Sequence, residues 1–169
     1  MTAVKSVSLL FGTILFATVM QLLPLSGYYF LWRPNFLFLV TIGWIIFRPN
    51  YWGIGFAAVL GLFADMVFRS PVGLYVLVFG VIASFPLILS RWLVYFTIVH
   101  RCVFVFILVI IFELLENAIF GLWGTPTDYR SIPIRALLSG LIWPIFDKFF
   151  TKVVIPVSYT HLTLPTRLS

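Results

Sequence analysis

Long apolar runs dominate the chain, and short polar clusters punctuate them. Six runs read as membrane-crossing helices, at approximately 7–25, 28–47, 50–68, 72–90, 102–123 and 134–150. A helix rises about 1.5 Å per residue, so roughly 20 apolar residues cross a hydrocarbon core about 30 Å thick. The pattern predicts an all-α integral membrane protein, a six-transmembrane-helix bundle forming a single polytopic domain over residues 1–155. The first run follows Lys5 and lacks a small-residue cleavage signature, so it reads as an uncleaved span. The segment from Trp92 to Val99 is apolar but too short to cross. Flanked by Arg91 and His100-Arg101, and carrying Trp92 and Tyr95, it is expected at the membrane interface. Residues 156–169, PVSYTHLTLPTRLS, are out of character and are expected to be a non-native or disordered tail.

Arg33-Pro34-Asn35 interrupts the second run, and Arg48-Pro49-Asn50 repeats the triplet fifteen residues later. Proline lacks an N–H and disfavours helical geometry in the residue before it, so each triplet reads as a helix entrance or break. Between them, Phe36 to Phe47 supplies only about 18 Å of helix. The favoured expectation is a helix starting near Tyr28 and broken at Pro34, with protein contacts holding the break. The alternative is a short helix buried among its neighbours.

Inside the runs, small and polar residues recur at helical spacing. Gly53, Ala57, Gly61 and Asp65 fall every four residues, a stripe that lets a second helix approach closely. Gly73, Gly80 and Ser84 in the fourth run, Ala136 and Gly140 before Trp143-Pro144 in the sixth, and Thr13, Ala17 and Gln21 in the first are similar. Asp65 then lies on a contact face. An ionised carboxylate in a bilayer is costly and needs a partner; Arg33 is the leading candidate and Arg69, one turn on, the second. Glu113, Glu116 and Asn117 share a face of the fifth run. They read either as a proton, cation or partner site or as the wet end of a helix, since Gly121, Gly124 and Pro126 follow.

Composition sharpens this picture. The chain is 62% hydrophobic and 9% charged, with mean hydropathy +1.13, outside the range of a soluble domain. The net charge of +6 is scattered rather than gathered in a run, which argues against nucleic acid and for a lipid bilayer. With the N-terminus inside, Lys5, Arg48, Arg91, Arg101, Lys148 and Lys152 face the cytoplasm, and Arg33, Arg69, Arg130 and Arg135 face out. That bias favours both termini in the cytoplasm. Cys102 is the single cysteine, so no intramolecular disulfide can form. No zinc motif, nucleophile elbow, P-loop or dinucleotide fingerprint occurs, so no metal, cofactor or enzymatic activity is expected. Asp147 beside Lys148 reads as an ion pair or an interfacial placement.

These motifs, in this order, resemble the MreD family of bacterial rod shape-determining membrane proteins. The likeness runs from RPN at 33–35, through GLFADMVF with Asp65 and then Gly73, to Trp143-Pro144 preceded by Ser139-Gly140. It covers about residues 7–152; the second RPN triplet carries no family role. The resemblance implies a non-enzymatic subunit of the cell-elongation complex in the bacterial inner membrane. Such a subunit would bind MreC and help couple cytoplasmic MreB filaments to RodA and its penicillin-binding transpeptidase. It also implies a fold related to the solute-binding S subunits of energy-coupling-factor transporters, which supplies the alternative function. Arg33, Pro34, Asn35, Gly53, Ala57, Gly61, Asp65, Gly73, Glu113, Glu116, Gly140, Trp143 and Pro144 are the structural or partner-contact candidates.

Overall fold

The computed structural model describes residues 3–24, 33–93, 95–124 and 129–154. Among these the chain is helical, with no strand: α1 (Ala3–Leu22), α2 (Phe36–Phe47), α3 (Ile54–Phe68), α4 (Leu74–Ile88), α5 (Ser90–Leu93), α6 (Ile98–Leu122) and α7 (Ile132–Val154).

The bundle is built around α2. All nine residues from Leu37 to Ile45 are buried, as expected of a helix that is apolar all round. It packs against α1, α4 and α7, and more lightly against α3. Phe38 stacks on Phe112 of α6 at 4.3 Å and meets Phe79 of α4 edge-on at 5.7 Å between centroids.

Both ends of α2 follow from the sequence around the Arg-Pro-Asn triplets. Residues 33–35 are not helical, and α2 begins at Phe36. The Asn35 side chain accepts the Phe38 N–H at 3.1 Å, the usual work of an N-cap asparagine. Gln21 of α1 accepts the Phe36 N–H at 3.0 Å, so two of the orphan donors at this terminus are met by side chains. The break expected at Pro34 is seen from its far side, as a proline just before the cap of a new helix start. The proposed start near Tyr28 lies outside the described residues. At the other end Arg48 is the C-cap, its N–H bonded to the Trp44 carbonyl, and Pro49 prevents continuation. The same triplet thus opens the helix once and closes it once.

Successive long helices run antiparallel. Trp44 Nε1 donates to Thr13 Oγ1 at 3.0 Å, tying the end of α2 to the middle of α1. The α3–α4 and α6–α7 pairs are the most extensively packed. Arg101 at the start of α6 pairs with Asp147 late in α7 at 3.0 Å, and its guanidinium also lies 5.5 Å from the Phe47 ring centroid. The Asp147 side chain is therefore buried and paired with Arg101, not with its neighbour Lys148. Between α4 and α6, Trp92 and Tyr95 are exposed.

The outward faces are apolar, with Phe11, Leu15, Val59, Met66, Ile88, Ile107, Leu141 and Ile145 all exposed. Patches of this extent mark contact with lipid or another protein. Among the described residues, Ile98–Leu122 is long and apolar enough to cross a membrane, and Val7–Leu22, Phe36–Phe47, Ile54–Phe68 and Leu74–Ile88 are shorter apolar helices.

Candidate functional site

The acids that the sequence singles out lie in one buried polar network at the end of the bundle where α3 turns into α4. Asp65 is 2% exposed, and its partners come from its own hairpin. The Ser70 hydroxyl donates to Oδ1 at 2.6 Å, the Tyr75 N–H to Oδ1 at 2.9 Å and the Gly73 N–H to Oδ2 at 2.8 Å. The carboxylate therefore caps the N-terminus of α4 from the preceding helix. Its two oxygens thus meet backbone N–H groups that the first turn of α4 leaves without an intrahelical partner.

The turn is shaped to make this possible. Arg69, the C-cap of α3, is left-handed at φ 53°, and the Ser70 N–H bonds to the Asp65 carbonyl at 3.1 Å. Gly73 at φ 102° supplies the second reversal, which a side chain would strain. Arg33 is not the Asp65 partner that the sequence suggests. Its guanidinium donates to the Leu23 carbonyl at 2.9 Å, at the end of α1.

Tyr75 carries the network across the bundle. While its backbone N–H holds Asp65, its hydroxyl donates to Glu116 Oε1 of α6. Its ring packs edge-on against Phe68 and Phe79. One turn earlier on α6, Glu113 is 2% exposed and paired with Arg135 Nη1 of α7 at 2.9 Å. The Asn117 amide donates to the Glu113 carbonyl at 2.9 Å. This is no wet helix end. The two carboxylates, one turn apart, are held by opposite neighbours, Glu116 by α4 and Glu113 by α7.

The other candidates have packing geometry. A Cβ built on Gly61 would lie 2.5 Å from the Tyr75 carbonyl oxygen and 2.6 Å from Val76 Cα, so α3 and α4 touch there backbone to backbone. Ala57 is fully buried on the same face. Gly53 does not belong to this contact: it is the N-cap of α3, and a Cβ there meets nothing within 4 Å. A Cβ on Gly140 would sit 3.4 Å from Phe106 Cβ, an ordinary α6–α7 contact. Trp143 is fully buried, and its Nε1 has no hydrogen-bond partner among the described residues. Pro144 lies inside α7 and cannot donate to the carbonyl one turn back. Pro34 and Asn35 are buried at the start of α2.

Sequence reasoning missed Tyr75 and Ser70, and it read Gln21 only as part of the packing stripe of the first run. Tyr75 has no periodic signal, because it sits in an apolar run and works through both its amide and its ring. Ser70 was findable: a serine five residues past a buried acid, before Pro71 and Gly73, is turn chemistry.

Among the described residues, no group of three or more His, Cys, Asp or Glu could hold a metal. The polar groups of this end are turned toward one another, which suits holding helices together.

The family model for the rod shape-determining protein MreD matches residues 2–153. The rod shape-determining protein MreD of Haemophilus influenzae is 32% identical over 132 residues, covering 76% of this chain and 79% of that protein. No solved structure matches. The family is one of shape-determining structural proteins, not enzymes. An apolar helical bundle with its acids buried and satisfied, matched over nearly its whole length, identifies the chain as a membrane protein of the MreD family, which acts in rod-shape determination.

Proposed function

We propose that this chain is a non-enzymatic scaffold subunit of the cell-elongation complex, binding MreC and helping couple cytoplasmic MreB filaments to peptidoglycan synthesis by RodA and its penicillin-binding transpeptidase. The observation that carries this reading is the family match over residues 2–153. The buried network supports it, because Asp65, Glu113 and Glu116 are each engaged by a side chain or amide of the bundle itself. A solute-binding subunit needs polar groups converging on an open pocket.

In this reading residues 1–155 form one membrane domain in the bacterial inner membrane. The runs at approximately 7–25, 28–47, 50–68, 72–90, 102–123 and 134–150 are the six crossing elements, with α2 the described part of the second, and α5 lies in the interface. The network end faces outward, with both termini cytoplasmic. Cell shape tests the proposal. A rod-shaped bacterium depleted of its own family member, given this chain with the MreC from the same genome, regains rods. Spherical cells despite normal membrane insertion of both proteins contradict it.

A further inference from the structure

We propose that the apolar groove between α1 and α7 is a binding site for an anionic phospholipid, with its acyl chains in the groove and its headgroup on Lys148 and Lys152. The groove encloses about 760 Å³ and is lined by Leu9, Gly12 and Phe16 of α1, Val40 of α2, and Ile145 and Phe149 of α7, among others. That volume falls within the range of roughly 300–1,000 Å³ usual for small-molecule sites. Its floor is apolar because α2 runs behind it. Its width comes from Gly12, where a Cβ would meet nothing within 4 Å.

Charge chooses the occupant. Lys148 and Lys152 follow Ile145 at three and seven residues on α7, so they flank the same edge of the groove, with Phe149 between them. Both lysines are exposed, and neither forms an ion pair among the described residues. The acid beside them, Asp147, points the other way, 3% exposed and bonded to Arg101. An apolar slot with an uncompensated basic rim matches an amphiphile with an anionic head. Juxtamembrane lysines are attracted to anionic lipid in this way, and their stems can lie along apolar surface while the ammonium reaches the headgroup. A partner helix would need an acid placed at the membrane edge to satisfy the same two charges.

Gly12→Leu provides a discriminating variant, because the added side chain enters open space and not packed backbone. The purified chain is exchanged into detergent micelles containing phosphatidylglycerol or phosphatidylcholine, and bound lipid is counted by native mass spectrometry. The thermal midpoint is read in parallel. The expected result is retained phosphatidylglycerol in preference to phosphatidylcholine, with a higher midpoint. The Lys148→Ala/Lys152→Ala variant loses that preference by roughly 10–30-fold, while Gly12→Leu retains less of either lipid. Equal retention of the two lipids by the parent chain overturns the proposal. So does unchanged retention by a folded Gly12→Leu variant, or recovery of the chain with a partner helix protecting the groove and no bound lipid.

Discussion

Asp65 is a hydrogen-bond hub before it is a charge. Truncation to alanine leaves the Gly73 and Tyr75 amides without their acceptor, and a buried donor left unpaired costs about 1–3 kcal/mol. Asp65→Ala should therefore lower the melting temperature strongly in detergent. Arg33→Ala should act independently of it, because Arg33 is engaged with the end of α1. Additive effects in a double-mutant cycle are expected, and a coupling above about 0.5 kcal/mol would show that the two side chains communicate. The Glu113–Arg135 pair should respond asymmetrically. Its side chains are 3% and 22% exposed respectively. Removing Arg135 strands a buried carboxylate, a loss of about 3–5 kcal/mol where the remaining charge is fully buried. Glu113→Gln leaves a partly solvated guanidinium and should cost less. Melting temperatures of Arg135→Ala and Glu113→Gln measure the difference, and equal losses would contradict the geometry.

At the scale of elements, the α3–α4 hairpin depends on one glycine. Gly61→Ala must push Tyr75 and Val76 backbone aside, and overpacking of this kind costs about 1–3 kcal/mol. Gly53→Ala meets open space and should be close to neutral. Accumulation of both variants in membranes separates these outcomes. The sequence placed both glycines on one stripe at spacing of four, and that spacing is legible. It did not reveal where α3 begins, so it could not tell a packed glycine from a cap. The short second run posed the same problem. Its twelve residues were clear, and so was the choice between a broken long helix and a buried short one. The contacts that cap and bury the described part of it, Gln21 on Phe36 and the aromatic collar around Phe38, join residues distant in sequence. The pairings of Tyr75 with Glu116 and of Glu113 with Arg135 were illegible for the same reason. Helix periodicity gives the face a side chain occupies, not the helix that meets it.

Across the whole molecule, hydropathy made the helical class legible, and the antiparallel packing shows in the pairs Gln21–Phe36 with Thr13–Trp44, Tyr75–Glu116, and Arg101–Asp147 with Glu113–Arg135. Residues 8–16 of α1 and 145–150 of α7 line one groove, so the N-terminal part of α1 lies beside the C-terminal part of α7. The exposed Arg91, Lys148 and Lys152 follow or end their helices, whereas the buried acids of α3 and α6 gather at the opposite end. With the basic end in the cytoplasm, reporter fusions at Asp128 and after Lys152 should report opposite compartments. The same compartment for both would reject the six-span arrangement. The central claim is that this internally satisfied bundle is a scaffold. Its most direct test is affinity purification of the detergent-extracted chain, co-expressed with MreC from the same genome, with mass spectrometry of proteins and small molecules in the eluate. The account predicts that MreC is recovered with the parent chain, is reduced with Asp65→Ala, and comes without a stoichiometric polar solute. A bound vitamin-like solute, with MreC absent from a folded and membrane-inserted preparation, would contradict it.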